Sequence, residues 1–240
     1  MTDDLPLMLR RFALTQRPWG RFWLNAHLLQ QKLRARWLAY GTAAMKRGFD
    51  VIVSLLLLLL LSPLLVILGV AVWVEDGGSI LFPQTRVGRY GRIFKMYKFR
   101  SMCLDAEQRL KDLLDKNQHK QGVTFKLKDD PRITCMGKWL RRFSFDELPQ
   151  LYNVLIGNMS LVGPRPPVPR EVAKYSLADR RRLAARPGIT CIWQISGRSE
   201  IDFSGQVRLD VVYIESQTFW KDLQILFRTI PAVLSGRGAY

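Results

Sequence analysis

The sequence is poor in the residues that staple or ligate small folds. Among 240 residues there are three cysteines, Cys103, Cys135 and Cys191, and two histidines, His27 and His119. An odd number of cysteines at no metal-ligand spacing argues against a disulfide framework and a zinc ribbon, and fits a reducing compartment. The histidines lie too far apart in sequence to suggest a His-rich metal site. Acid is scarce as well: 20 Asp and Glu stand against 37 Lys and Arg, a net charge of +17. That excess implies an anionic partner, whether nucleic acid, an anionic membrane surface or a phosphorylated substrate. There are no internal repeats, and low complexity is confined to one leucine run. Apolar residues make up 48% of the chain, ample for a core, which excludes wholesale disorder. The length suits one domain, or one domain with an appendage.

The leucine run is the first positive signal. From Val51 to Val74 there are 24 residues without a charge, roughly 36 Å as a straight helix and enough to span a hydrocarbon core. The run starts too far from the N-terminus, and is too long, to be a secretory signal. A transmembrane helix is the default reading. Ser62-Pro63 at its middle argues otherwise, because proline removes a backbone donor and clashes with the carbonyl four residues back. The Ser62 hydroxyl can satisfy a carbonyl freed there. Both flanks are basic: Lys46 and Arg47 precede the run, and Arg86, Arg89, Arg92, Lys95, Lys98 and Arg100 follow it. A spanning helix would export one basic set against the positive-inside tendency. A helix–break–helix hairpin entering and leaving by one face is favoured; a kinked spanning helix is the alternative.

Residues 20–45 read as an amphipathic helix, with Ala26, Leu29, Leu33, Trp37 and Tyr40 on one face and Lys32, Arg34 and Arg36 beside it. That composition suits the interface of an anionic leaflet, or an ordinary helix packed on the domain. Beyond the run, Ser79–Gln84 and Arg92–Arg100 read as strands joined by a loop containing Gly88 and Gly91. Alternation places Lys98 and Arg100 on one face. Helical patterns follow over Leu104–His119 and Met136–Ile156, the latter interrupted at Ser144–Pro149. Residues 160–170, SLVGPRPPVPR, are helix-hostile and predict a shaped loop. The C-terminal part holds a basic helix near Leu177–Ala185, a turn at Arg186-Pro187-Gly188, and helices within Phe203–Ser216 and Lys221–Leu234.

Asp146-Glu147, behind Arg141 and Arg142, is the candidate chemical centre. Ser144 and Glu147 have capping-box spacing, so a purely structural role is open. A helix start also gathers free N–H groups suited to phosphate. Adjacent carboxylates beside arginines can bind a divalent cation, receive a phosphate or supply a nucleophile. Arg86, Arg165 between two prolines, and Arg198 in Ser196-Gly197-Arg198-Ser199 sit at turns, and arginine suits bidentate phosphate recognition.

Taken in order, these segments resemble the bacterial sugar transferases that act as monotopic polyprenyl-phosphate phosphoglycosyl transferases. The likeness runs from Lys46 to Tyr240 through Lys46-Arg47 with Asp50, Ser62-Pro63, Gln84-x-Arg86-x-Gly88-x-x-Gly91-x-x-Phe94 and Lys98-Phe99-Arg100-Ser101-Met102. It continues through Asp146-Glu147-Leu148-Pro149-Gln150, Gly157 to Gly163-Pro164-Arg165-Pro166, Pro187-Gly188-Ile189-Thr190, Trp193-Gln194, Ser196-Gly197-Arg198 and Asp210-x-x-Tyr213. The resemblance implies transfer of a sugar 1-phosphate from a UDP-sugar to undecaprenyl phosphate, with release of UMP and with Mg2+. It implies Asp146 as nucleophile and Glu147 as the metal-associated carboxylate. Arg86, Lys98, Arg100, Arg142, Arg165, Arg198 and Asp210 become substrate-binding candidates, and Ser62 and Pro63 the membrane break. Trp193-Gln194 and the C-terminal Gly238-Ala239-Tyr240 resemble the hexose-transferring branch, implying UDP-glucose or UDP-galactose. Cys191 stands where such sequences usually carry glycine, and the multi-spanning N-terminal region of larger members is not seen.

The expected fold class is α-rich α+β, with a re-entrant membrane helix hairpin, interfacial amphipathic helices and a small cytoplasmic catalytic domain containing a β-hairpin. The expected divisions are an N-terminal extension over 1–45, the re-entrant helix over 46–75 and the catalytic domain over 76–240. The expected place is the cytoplasmic face of a bacterial inner membrane, as the first membrane step of exopolysaccharide, capsule or O-antigen synthesis. The expected partners are undecaprenyl phosphate, a UDP-sugar and inner-membrane lipids, with no nucleic acid and with homo-oligomerisation left open. A non-catalytic scaffold binding anionic lipid is the competing class.

Overall fold

Hydrogen bonding at the break sets the path of the apolar run. In the computed structural model, which describes residues 18–36, 41–106, 108–109, 130–197 and 201–235, the run forms two helices. These are α2 (Thr42–Leu60) and α3 (Ser62–Asp76), bent by 63° at Leu61. Proline at 63 has no N–H for the carbonyl of Leu59, four residues back. Ser62 Oγ donates to that same carbonyl at 2.8 Å, so the break leaves it satisfied. Among the described residues no single helix is long and apolar enough to cross a membrane; together, by length and composition, the bent pair is.

The chain divides into two compact units, one ending at Gly48 and one starting at Phe49. In the first, α1 (Pro18–Arg36) opens on a proline whose missing N–H is no loss in a first turn. Trp19, Phe22, Trp23 and Leu29 are exposed along it. Of the expected helix over 20–45, the described part is helical to Arg36 and again from Thr42, in α2, and Trp37 to Tyr40 lie outside the described residues.

In the second unit, β1 (Leu81–Val87) and β2 (Ile93–Phe99) form the expected antiparallel hairpin, Arg86 opposite Phe94. Its turn carries Gly91 at φ 81°, a left-handed conformation that glycine adopts without strain. Helices α4 (Cys135–Arg142) and α5 (Gln150–Leu155) follow, with the expected interruption between them. Thr134 caps α4 by accepting from Gly137 N at 3.0 Å. Most of the expected Leu104–His119 helix lies outside the described residues.

The 160–170 stretch corrects the expectation of a loop throughout. Ser160–Val162 forms β3, which pairs in parallel with β4 (Gly188–Thr190), and Pro169–Val172 forms a short helix, α6. The pairing is close: a Cβ on Gly188 would lie 2.1 Å from Gly163 N. The expected basic helix near Leu177–Ala185 is instead a 3-10 helix over Asp179–Ala184. The chain then forms α7 (Ile192–Ser196), α8 (Phe203–Glu215) and α9 (Phe219–Ser235).

Two apolar clusters hold this unit. Met96, Leu151, Val154, Met159, Val162, Tyr213 and Ile225 form one, against which Phe49, Val53, Leu57 and Leu58 of α2 pack. Leu68 and Val72 of α3 join Phe99 and Leu140 in the other. The opposite faces of α2 and α3 stay outside: Leu59, Leu60, Val66, Ile67 and Val74 are exposed. Asp50 is buried on α2 and accepts from Leu161 N at 3.2 Å, pinning the helix to β3.

Asn153 on α5 fixes the hairpin. Its Oδ1 accepts from Tyr97 N at 2.9 Å and its Nδ2 donates to Lys95 O at 2.7 Å, so one amide fills two backbone sites on the outer edge of β2. We expect Asn153→Leu, close in volume but without either bond, to lose about 2 kcal/mol through the stranded backbone groups. Urea unfolding in detergent measures this, and an unchanged midpoint would refute the role.

Candidate active site

Asp146 and Glu147 lie in one 3-10 turn, Phe145–Glu147, between α4 and α5. Ser144 before it has φ 55°, in the left-handed region. A serine caps from extended backbone, where its oxygen faces the N–H groups of the next turn. At this φ it does not, and no side-chain cap bond forms. The Ser-x-x-Glu spacing is therefore not a capping box here. Glu147 Oε1 instead accepts from Lys98 Nζ at 3.2 Å and from Arg165 Nη2 at 2.8 Å.

Each cation reaches Glu147 for a local reason. Lys98 is the penultimate residue of β2, the strand clamped by Asn153. Arg165 follows β3 in a proline-rich loop fastened on two sides. Gly163 N donates to Thr190 O and Gly188 N to Pro164 O on the β4 side, while Val87 N donates to Pro167 O on the hairpin side. Arg86 completes the fastening, donating from Nη1 to Pro166 O at 2.7 Å and from Nε and Nη2 to Gln84 Oε1 at 3.0 and 2.6 Å.

The two carboxylates have opposite titration tendencies. Burial pushes Asp146 up, opposed by Lys98, while the Glu147 charge adds to the rise. Burial would raise Glu147 as well, but Arg165 and Lys98 outweigh it and hold that carboxyl well below its usual range. Reciprocally, Glu147 lifts Arg165 above its ordinary value. Burial lowers Lys98, and lowers Arg86 to about 10 with help from the charge of Arg165. The arrangement keeps Glu147 ionised and leaves Asp146 with the more basic carboxylate.

A cleft of about 1230 Å³ opens over the pair. Arg86, Lys98, Arg100 and Arg165 line it, and Leu57 and Leu61 bring the helix break to its wall. The remaining candidates are placed differently. Arg100 lies one residue past the end of β2 and pairs with Asp76 at the end of α3, so it shares the cleft but not the Glu147 cluster. Arg142 is exposed and stacks over Phe143, 5.7 Å from the ring centroid. Its neighbour Arg141 faces the cleft, donates to Ser101 Oγ at 2.9 Å and lies close enough to Asp146 to feel its charge. Asp210 is buried behind the cleft wall, where it accepts from Arg182 Nη2 at 2.5 Å. Burial raises Asp210 to about 6; burial would lower Arg182, but Asp210 more than offsets that, so the pair is ionised at neutral pH. Arg198 lies outside the described residues. Arg182 was not singled out by sequence: it is the last of three consecutive arginines, and nothing in the spacing marks which one turns inward.

Among the described residues no group of three or more His, Cys, Asp or Glu could cage a metal. Asp146 and Glu147 nevertheless fit magnesium, which takes one or two carboxylates and completes its shell with water and substrate phosphate. Both cations converge on Glu147 Oε1, leaving Oε2 outside those bonds.

The profile of the family described as bacterial sugar transferase matches residues 41–236. A galactosyl transferase CpsE of Streptococcus agalactiae is 57% identical over 166 residues, covering 69% of this chain and 37% of that protein. An undecaprenyl-phosphate galactose phosphotransferase of Salmonella typhimurium is 45% identical over 199 residues, covering 82% and 42%. The exopolysaccharide production protein ExoY of Sinorhizobium fredii is 43% identical over 198 residues, covering 81% and 88%. The chain belongs to the bacterial sugar transferase family. It spans about two fifths of the first two of these relatives and most of the third.

The Glu147 cluster yields a stability test. A carboxyl held low in the folded state contributes stability above its unfolded value of about 4.3, and that stability is lost as pH falls toward the folded value. We expect Glu147→Gln, which takes the charge from a partly buried carboxylate bonded to two partly exposed cations, to cost about 2 kcal/mol at pH 7. The deficit should shrink between pH 5 and about pH 3. Denaturant midpoints of both proteins across that range measure it; a deficit independent of pH would mean that Glu147 is not held low.

Proposed function

We propose that the chain transfers a hexose 1-phosphate, of glucose or galactose, from a UDP-sugar to undecaprenyl phosphate at the cytoplasmic face of a bacterial inner membrane. The observation that carries this reading is a carboxylate pair ringed by cations, two of which, Arg86 and Arg141, give their hydrogen bonds to neutral groups. Those charges remain for the phosphates of a substrate. The names of relatives add support: besides the Salmonella protein, one from Komagataeibacter xylinus is an undecaprenyl-phosphate glucose phosphotransferase, 41% identical over 206 residues.

In this mechanism an Asp146 oxygen attacks the phosphorus that bears the sugar. The bond from that phosphorus to the bridging oxygen breaks, UMP leaves, and a mixed anhydride of the Asp146 carboxyl with the sugar phosphate remains. An oxygen of the lipid phosphate then attacks the same phosphorus, freeing the carboxylate and yielding the diphosphate-linked lipid. A covalent intermediate lets a soluble nucleotide and a lipid use one site in turn. The raised pKa of Asp146 gives a more nucleophilic carboxylate, and Lys98, Arg165, Arg86 and Arg141 offset the repulsion between carboxylate and diphosphate. Magnesium, held by Glu147 and Asp146, would add positive charge at the diphosphate.

The acceptor phosphate lies at a membrane surface, so the site must too. The bent pair α2–α3 serves as the anchor, re-entering by one face so that both basic flanks stay in the cytoplasm. Its exposed outer faces meet lipid, α1 lies in the interface, and the break brings Leu57 and Leu61 to the cleft.

Detergent-solubilised protein with magnesium, polyprenyl phosphate and UDP-hexoses should release UMP. Asp146→Asn should remain folded and lose about 10⁴-fold or more in rate, together with covalent labelling by the donor. Because ionised Asp146 is required, the rate should fall as pH drops through a value above the ordinary carboxylate pKa of about 3.9. UMP release by the Asn variant at the wild-type rate would overturn the mechanism; none from wild type would favour the lipid-binding scaffold.

For topology, a cysteine introduced near residue 5, in protein whose own cysteines are replaced, should stay protected from a periplasmic reagent. Replacing Ser62 and Pro63 by alanine favours a straight helix by about 3 kcal/mol and should expose part of the population. Periplasmic labelling of otherwise unaltered protein would mean that the segment spans.

A further inference from the structure

The two ends of the cleft differ in charge. At one end lie Arg141 and the ion pairs Arg132–Asp130 and Arg100–Asp76, so that Arg141 gives this end its net positive charge. At the other, reached past Arg165, the wall consists of Thr190, Trp193, Gln194, Gln206 and Thr229, with Arg182. Arg182 brings no net charge there, since Asp210 neutralises it. A nucleotide-diphosphate sugar is divided in the same way: one portion departs as an anionic nucleotide, and the other is a neutral ring covered in hydroxyls.

We propose that the neutral end, formed by Trp193, Gln206 and Arg182, holds the hexose ring of the donor and determines which hexose is accepted. This rests on the donor reading above. The wall has the chemistry a pyranose needs. Trp193 offers a flat apolar ring to the C–H face of a sugar, and amide and hydroxyl groups both donate to and accept from its hydroxyls. The groups are rigidly held. Gln206 is 5% exposed and donates from Nε2 to Ile201 O at 3.0 Å. Arg182 donates from Nη1 to the Tyr175 hydroxyl at 3.1 Å and from Nη2 to Asp210. Two donors at this end lack an acceptor: Arg182 Nε and Trp193 Nε1 are buried with no hydrogen-bond partner. The indole N–H is near enough to Asp210 to stabilise its charge without completing a bond. The indole N–H is thus turned toward Asp210, whereas a buried donor in the condition of Arg182 Nε is costly unless an acceptor arrives, and ring hydroxyls are acceptors. Asp210 thereby becomes a positioning residue, holding Arg182 and lying beside the Trp193 indole.

The test compares kcat/KM for UDP-glucose and UDP-galactose in wild type, Gln206→Leu and Trp193→Leu, with inhibition by UMP measured in each. A site that hydrogen-bonds a substrate hydroxyl discriminates strongly against the epimer that misplaces it. Gln206→Leu should therefore lower kcat/KM for the preferred hexose about tenfold or more and move the epimer ratio toward unity. Trp193→Leu should lower it for both hexoses by about tenfold. Inhibition by UMP should stay within about twofold of wild type in both variants. Gln206→Asn, which retains the amide one methylene shorter, guards against misfolding and should also shift the ratio while leaving UMP inhibition unchanged. If UMP inhibition weakens in step with kcat/KM, the pocket holds the nucleotide or is merely structural, and the proposal fails. An unchanged epimer ratio in the Gln206 variants refutes the subsite while leaving the donor reading intact. Wild-type protein that releases UMP from no UDP-sugar refutes the donor reading and the subsite together.

Discussion

One oxygen atom ties the catalytic unit together. Glu147 Oε1 accepts from a lysine on the hairpin and an arginine on the loop after β3, so three elements distant in sequence meet at a single charge. Burying a carboxylate is costly by itself and tolerable when cations surround it. Strand β2 must therefore be held at the right height, which Asn153 does, and the Arg165 loop must be fastened, which β4 and Arg86 do. Much of the surrounding architecture can be read as what places those two cations.

The same cluster separates the roles of two adjacent carboxylates. Glu147 takes the cations and stays ionised; Asp146, a residue away, is buried with weaker compensation and becomes more basic. Neighbours in sequence can differ this way only because the turn directs their side chains into different surroundings. The left-handed Ser144 belongs to that turn, at a conformation that costs a non-glycine residue roughly 1 kcal/mol or more.

Features governed by local chemistry were legible in the sequence. The break at Ser62-Pro63 follows from a missing N–H, and the hairpin from two apolar runs around Gly88 and Gly91. Features set by long-range packing were not. The capping-box spacing of Ser144 and Glu147 misleads because the distant Lys98 and Arg165 claim the Glu147 side chain. Arg141 and Arg142 differ by one residue, about 100° around a helix, and only the packing of α4 decides which one faces the cleft. Strands β3 and β4 are three residues each, too short for a periodic signal. Asp210 finds Arg182 at 28 residues' separation, which no motif spacing announces.

The Asn153 amide also bears on how the hairpin meets other chains. A two-stranded hairpin ordinarily presents a free edge, a template on which another chain can add a strand. Here one edge of the hairpin is met by a side-chain amide that mimics the next strand, and Val87 at the end of β1 is met by Pro167, a residue with no N–H to extend the ladder. At those positions the backbone groups are already taken, so an incoming strand finds fewer sites at which to extend this hairpin.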